Sequence, residues 1–429
     1  MVDSAAAILP LLRDGLLRYR PDIERYGLLL LPASLLTVPD TGAAIYGLLC
    51  VSGLLHPTGN RPGREEYRRI LLIGTLPATY FFVAAVSVAV SGHYHDWFKP
   101  LMKLSELLTT PLIALWLVQT RAMSRTSPDF FRLNAVLMCI AAAYQYFVQG
   151  FPRPGGAVNP LIFGHMSLLF GFCSVAMLPV QNGRDRLVSL LCFAAGFTGC
   201  VLSQSRAAWV SSIFLLLTLL LLWYRTGYLT RAPALALTGL YVVLTVASLN
   251  LPSVRDRILQ AAEDYRLLQQ QEEWNSSVGQ RLVMWKSGLK AAWKHPVFGW
   301  GVHRTQIAAS SEMPDSALKR QVLEHHHLHN EYVNVLVGRG ISGLLSLALL
   351  LFAPLAVFFR KARKRDLLPY SVGALLCLSY AASGLSFQAF GDDTMNIIFA
   401  LLLSFALVGT PAGDPDAACA DGSQPGCPE

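Results

Sequence analysis

Between residues 69 and 250 the chain repeats one pattern seven times, an apolar run of about twenty residues closed by a short polar break. A helix of that length, rising 1.5 Å per residue, crosses the roughly 30 Å hydrocarbon core of a bilayer. Backbone amides in hydrocarbon find no water and must be paired within the segment, so a helical bundle follows. The composition agrees, with 53% hydrophobic and only 14% charged residues over 429 positions, against roughly 25% charged in a soluble domain. Twelve candidate helices emerge, at 26–38, 41–55, 69–91, 102–120, 130–149, 159–180, 186–204, 206–224, 232–250, 330–358, 367–387 and 393–409. The first two are short and can form one hairpin. Before them, Arg13, Arg18, Arg20, Asp22, Glu24 and Arg25 interrupt any apolar run, which argues for an amphipathic cytoplasmic lead-in rather than a cleaved signal.

The positive charges orient the bundle. With a cytoplasmic N-terminus, the inward loops carry Arg61, Arg64, Arg68 and Arg69, then Arg121, Arg125 and Arg132, then Arg184 and Arg186, then Arg225 and Arg231, and finally the run from Arg360 to Arg365. Every inward loop is basic, as the positive-inside rule requires, and both termini are expected in the cytoplasm. The net charge of +8 is therefore a topology signal and not a nucleic-acid surface. Eight cysteines lie in the spans or the tail, with none in the long loop and no CxxC pair, so neither a disulfide framework nor a zinc site is indicated. The domain plan expected is an N-terminal bundle of about nine helices over 1–250, a large periplasmic loop over 251–328, C-terminal helices over 329–410 and a disordered cytoplasmic tail over 411–429.

A few cations break the charge rule by falling on the outer side: Lys99 and Lys103, Arg153 and Arg206. The lysines can snorkel to lipid phosphates. Arg206 sits in a tight turn between two apolar helices, where an unpartnered arginine is costly, and reads as functional. The long outer loop is the other exception, since loops beyond about 12–15 residues are usually functional or disordered. Within it, Leu282, Trp285, Leu289 and Trp293 recur at spacings of three and four, predicting a surface helix over 278–294 with Arg281 in its first turn. His295-Pro296 stops that helix, and Gly299-Trp300-Gly301 turns the chain back. The loop closes on His325, His326, His327 and His329, followed by Asn330. Such a cluster is open to three readings: metal ligation, an exposed interfacial segment, or acid–base and phosphate chemistry. Neither a paired cysteine nor an HExxH helix supports the first.

His329-Asn330, nine residues, Gly340, two residues, Gly343 resembles the signature of the O-antigen ligase family of bacterial inner-membrane glycosyltransferases, whose superfamily includes the O-antigen polymerases. Arg281 with Trp285 and the segment from Pro296 to Gly301 is similar to that family's arginine segment. Arg206 after Ser203-Gln204-Ser205 is similar to its other arginine, and Arg153 with Asn159-Pro160 also has the family pattern. The resemblance implies a GT-C-like fold of about 12 transmembrane helices. It implies transfer, on the periplasmic face, of O-antigen polysaccharide from undecaprenyl pyrophosphate to a sugar hydroxyl of lipid A-core. The membrane lipids are the medium, and no cofactor or metal is expected. His329 would then be the catalytic base, with Arg206 and Arg281 catalytic and Arg206, Arg281 and Arg153 binding the donor pyrophosphate. Supporting roles fall to His327, Asn330, Asp392 and Lys103. A polymerase, a protein O-oligosaccharyltransferase or a transporter of the same lipid-linked glycan are the alternatives. The gathering of polar residues at one surface favours an enzyme over a transporter, which would place them at the midplane.

Overall fold

The protein is described by a computed structural model at residues 22, 24–54, 63–120, 122–271, 276–313, 319–320, 323, 327–362 and 367–408. Among these residues the regular structure is helical, with no strand. In chain order the helices are α1 (24–37), α2 (Pro39–Leu54), α3 (Arg64–Ser91), α4 (Phe98–Ser105) running through a short turn into α5 (Thr110–Thr120), α6 (Ala122–Ala143), α7 (Pro160–Ser174), α8 (Gly183–Leu202), α9 (Arg206–Arg225) and α10 (Arg231–Leu249). The long loop contributes α11 (Pro252–Gln271), α12 (Ser277–Ala292) and α13 (Thr305–Ser311), and α14 (Glu331–Lys361), α15 (Leu367–Ser383) and α16 (Asp393–Val408) follow.

Among the described residues eight stretches are long and apolar enough to cross a membrane, and each coincides with one of the expected spans. The other four expected spans are helical but shorter. Their helices α2, α15 and α16 have 16, 17 and 16 residues, and α1 is shorter still, so twelve full crossings are not established. Side chains of α15 and α16 are buried around almost their whole circumference, which places these helices inside the bundle. Val210, Phe214 and Leu217 on α9 and Val242, Val243 and Val246 on α10 are instead exposed. Apolar belts turned outward are costly in water and natural in lipid. The chain is a polytopic helical membrane protein.

Small and polar residues hold the bundle together where lipid supplies no hydrophobic drive between helices. A Cβ on Gly196 of α8 would fall 2.7 Å from the Cα of Gly171 on α7, and the Ser167 hydroxyl donates to the Gly196 carbonyl at 2.9 Å. Buried Asn134 of α6 is inserted into the backbone ladder of α1, accepting from the Ala33 N–H and donating to the Leu29 carbonyl, both at 2.9 Å.

The long loop is more ordered than its polarity suggests. Residues 252–271, expected only as a polar stretch, form α11. Proline at its first position and a run of leucine, alanine, glutamine and arginine explain why. The predicted surface helix is present as α12, and its apolar stripe, open to either the bundle or the membrane surface from the sequence, is mostly turned away from the bundle. Leu282, Leu289 and Trp293 are exposed, whereas Met284, Ser287, Ala291 and Ala292 are buried. Small residues let α12 approach α14 closely: a Cβ on Gly288 would lie 2.9 Å from Val333. Trp285 then fixes the approach, donating its indole N–H to the Leu328 carbonyl at 3.0 Å.

The Gly-x-x-Gly signature acts as a socket for the loop. Gly340 breaks the helical path of α14 with φ 65° and ψ −158°. The segment 296–301 docks into the break, with Ile341 N–H donating to Pro296 O at 2.8 Å, Ser342 to Val297 at 3.2 Å, Trp300 to Val337 at 2.9 Å and Gly301 to Gly338 at 2.9 Å. A Cβ at Gly340 would sit 2.4 Å from the Val297 carbonyl carbon and oxygen. Only glycine accommodates both the conformation and the approach.

Candidate functional site

Where the long loop folds back over the helix ends, a cleft of about 490 Å³ is lined by Arg153, Arg206, Arg257, Arg281, Gln204 and His329, among other residues. Every one of them stands at or near the start of a helix or on the loop helix α11. Arg153 precedes α7, Arg206 opens α9, Arg281 lies near the start of α12, and His329 precedes α14. The first-turn N–H groups of those helices carry partial positive charge and add to the field of the guanidinium groups.

Local chemistry holds each side chain in place. The Gln145 side chain accepts from the N–H groups of Gly155 and Gly156 at 3.0 and 2.9 Å and donates to the Gly156 carbonyl at 2.7 Å, pinning the turn that carries Arg153. Gln204 ties this turn to the next one by donating to the Pro152 carbonyl at 2.7 Å. Asn159 caps α7 by accepting from Leu161 N–H at 2.9 Å. Arg206 donates from Nη1 to the Arg257 carbonyl at 3.3 Å, so α9 and α11 are joined at the cleft. Gln204 and His329 both adopt positive φ, 53° and 51°. Non-glycine residues held in that region cost about 1–3 kcal/mol and cluster at functional sites.

The cleft is an assembly of like charges. Burial, reinforced by the charges of Arg257, Arg206 and Arg281, pulls the Arg153 guanidinium below its ordinary range. Burial and the neighbouring Arg206 do the same to Arg281. No carboxylate lines the cleft among the described residues. Four half-buried guanidinium groups face one another, the nearby Asp264 carboxylate offsets part of the charge at Arg206, and the positive charge left over is poised for a multivalent anion.

Arg206, Arg281, Arg153 and His329, singled out from the sequence, are thus brought together. None of the four supporting residues lines the cleft, although His327 packs against His329. Asn330 is the N-cap of α14, its side chain accepting from Val333 N–H at 3.1 Å. His327 faces a different cavity, on whose wall Lys103 also lies. Asp392 lies on the wall of neither cavity. It accepts from Met395 N–H at 3.2 Å, and burial raises its carboxyl above the usual range. His325 and His326 lie outside the described residues. Among the described residues no group of three or more His, Cys, Asp or Glu could hold a metal ion.

Arg257 is the lining residue that the sequence reading passes over as part of a polar run. Its signal is helical spacing: buried Val254, Arg257 and Ala261 recur at three and four, with Arg257 and Ala261 lining the cleft.

An integral membrane protein with a cationic cleft at one end of its bundle is thereby defined. Residues 191–348, which carry Arg206, Arg257, Arg281 and His329, match the family model described as O-antigen ligase. An uncharacterized protein of Haemophilus influenzae is 20% identical over 298 residues, covering 67% of this chain and 72% of its own length.

Proposed function

We propose that the protein is an O-antigen ligase, transferring O-antigen polysaccharide from undecaprenyl pyrophosphate to a sugar hydroxyl of lipid A-core on the periplasmic face of the bacterial inner membrane. The observation that carries this reading is the convergence of four arginines on one cleft beside His329. A lipid-linked pyrophosphate is a multivalent anion, and it gains charge as it leaves. Guanidinium groups already fixed around it stabilise that charge without reorganising and supply what a divalent cation supplies in many sugar transferases.

The acceptor hydroxyl attacks the anomeric carbon as the bond from that carbon to the pyrophosphate oxygen breaks. Its proton passes to His329, a side chain of the type that titrates near neutrality. The electron pair of the broken bond stays with undecaprenyl pyrophosphate, which is held by Arg206 and Arg281 with Arg153 and Arg257. One displacement inverts the anomeric centre. Four cations on a short turn, a helix start and two loop helices fit a substrate whose lipid tail lies in the membrane and whose glycan extends into the aqueous phase.

The test is reconstitution of the purified chain with undecaprenyl-pyrophosphate-linked O-antigen and lipid A-core. His329→Ala is expected to abolish transfer while donor binding survives, and full transfer by that variant overturns the base assignment. Polymer attached to lipid A-core identifies a ligase. A lengthened lipid-linked glycan with bare core identifies a polymerase instead.

A further inference from the structure

His327 and His329 face different spaces. His329 lines the arginine cleft, and His327 lines a second cavity of about 830 Å³ whose wall also includes Lys99, Lys103, His303 and Arg339. The two imidazoles pack edge to face with centroids 4.3 Å apart, and Leu328 between them is fully buried. A partition one short segment thick therefore divides the two cavities.

Arg339 is the unusual residue of the second cavity. It is 2% exposed, its guanidinium lies 4.3 Å over the ring of Tyr80, and its Nη1 has no hydrogen-bond partner among the described residues. The nearby carboxylate of Glu331 is engaged elsewhere, accepting from the Tyr80 hydroxyl at 2.8 Å and from Phe390 N–H at 3.2 Å. A buried donor left unsatisfied costs about 1–3 kcal/mol, more when charged. On a cavity wall it calls for an acceptor from outside the chain. Lys103 donates to the Gly391 carbonyl at 3.2 Å and stands 3.8 Å from Asp393. An ammonium has three donors, so one remains for a ligand. Two cationic side chains on one wall suit the charge and the three acceptor oxygens of a phosphate monoester. Gln306, Gln388 and Trp97 on the same wall supply hydrogen-bonding groups and an apolar ring face for a sugar.

We propose that this second cavity binds a phosphorylated sugar of the acceptor, with Arg339 and Lys103 holding its phosphate. The assignment rests on the ligase reading for the word acceptor, and it places the acceptor's phosphate on the side of the His327–His329 segment opposite the donor.

The test uses the full chain in phosphatidylcholine nanodiscs, with Arg206→Gln and Arg281→Gln introduced to silence the arginine cleft. Glucosamine 6-phosphate, glucosamine and inorganic phosphate are titrated as probes by calorimetry. Glucosamine 6-phosphate is expected to bind this background, and Arg339→Gln to weaken it about tenfold or more. Lys103→Ala, which leaves the buried Tyr80–Glu331 pair intact, is expected to weaken it about threefold to tenfold and guards against misfolding of the Arg339 variant. Absence of sugar-phosphate binding in the background, or affinity unchanged by both substitutions, overturns the site. Glucosamine binding as tightly as its phosphate overturns the anion role, and inorganic phosphate binding as tightly as the sugar phosphate overturns the sugar assignment. No readout here uses glycan transfer, so this inference and the ligase reading fail separately.

Discussion

Replacing Gly340 by alanine tests how the fold builds the cleft. Gly340 stands at φ 65° and ψ −158°, a region that costs a residue with a side chain about 1–3 kcal/mol. The added Cβ also lands 2.4 Å from the Val297 carbonyl group and 2.5 Å from Pro296 O. Those are backbone atoms and cannot swing aside, so segment 296–301 must lift. Lifting it breaks some or all of the four hydrogen bonds that seat it on α14, each worth about 0.5–1.5 kcal/mol net. Strain and the loss of all four bonds together come to roughly 3–9 kcal/mol, a large share of the 5–15 kcal/mol that holds a typical protein folded. The segment continues directly from α12, so Arg281 moves with it. Scanning fluorimetry of the detergent-purified variant is expected to show a melting temperature lowered by several degrees or more, and affinity for undecaprenyl pyrophosphate should fall about tenfold or more. Gly239→Ala is the control, because a Cβ there meets nothing within 4 Å and helix propensity favours alanine by up to about 1 kcal/mol. If Gly340→Ala melts and binds donor like the wild type, the socket does not hold the cleft together.

Arg257→Ala is expected to weaken undecaprenyl pyrophosphate binding by about tenfold, comparably to Arg206→Ala and Arg281→Ala; wild-type donor affinity in a binding titration would remove Arg257 from the anion site. Transfer is expected to survive exhaustive chelation, since the guanidinium groups supply the charge at the leaving group; activity lost to chelation and restored by zinc would return the histidine segment to a metal role. Because the cleft gathers like charges, inorganic pyrophosphate is expected to raise the melting temperature through binding to the native state, by an amount that shrinks as salt screens the interaction. No rise at low ionic strength would contradict the anion reading.

What the sequence exposes and what it hides follow from different physics. Arg206, Arg281 and His329 stand out because each interrupts an apolar or amphipathic pattern, and a membrane-bound chain tolerates few such interruptions. Arg257 escapes notice because it sits in a polar run, where another charge carries no information until the helical register of α11 is known. The orientation of α12 is hidden for a related reason. Periodicity finds the apolar stripe, but Leu282 and Trp293 face outward while Gly288 and Ala291 pack against the protein, and close approach selects for small residues that a hydropathy reading discounts. Asn330 adjoins His329 and reads as part of the chemistry, yet its side chain satisfies the first turn of α14. Arg339 is invisible as a site residue, because its meaning depends on Tyr80 and Glu331 being drawn to it through the fold.

The placement of the cleft at helix starts explains why so few residues can form it. Within the apolar spans a guanidinium group would need a partner at every point along the helix, and in open solution its charge would be screened by water. At the junction of the two, the starts of α7, α9 and α12 line the space together with the arginines, and the positive ends of the helix dipoles add to their field. The loop helices α11 and α12 then supply Arg257 and Arg281 from above. Neither half suffices alone, because the bundle contributes Arg153, Arg206 and His329, and the loop contributes the remaining two cations. Seating the loop on Gly340 is therefore what converts scattered charges at one end of the bundle into a single cationic surface.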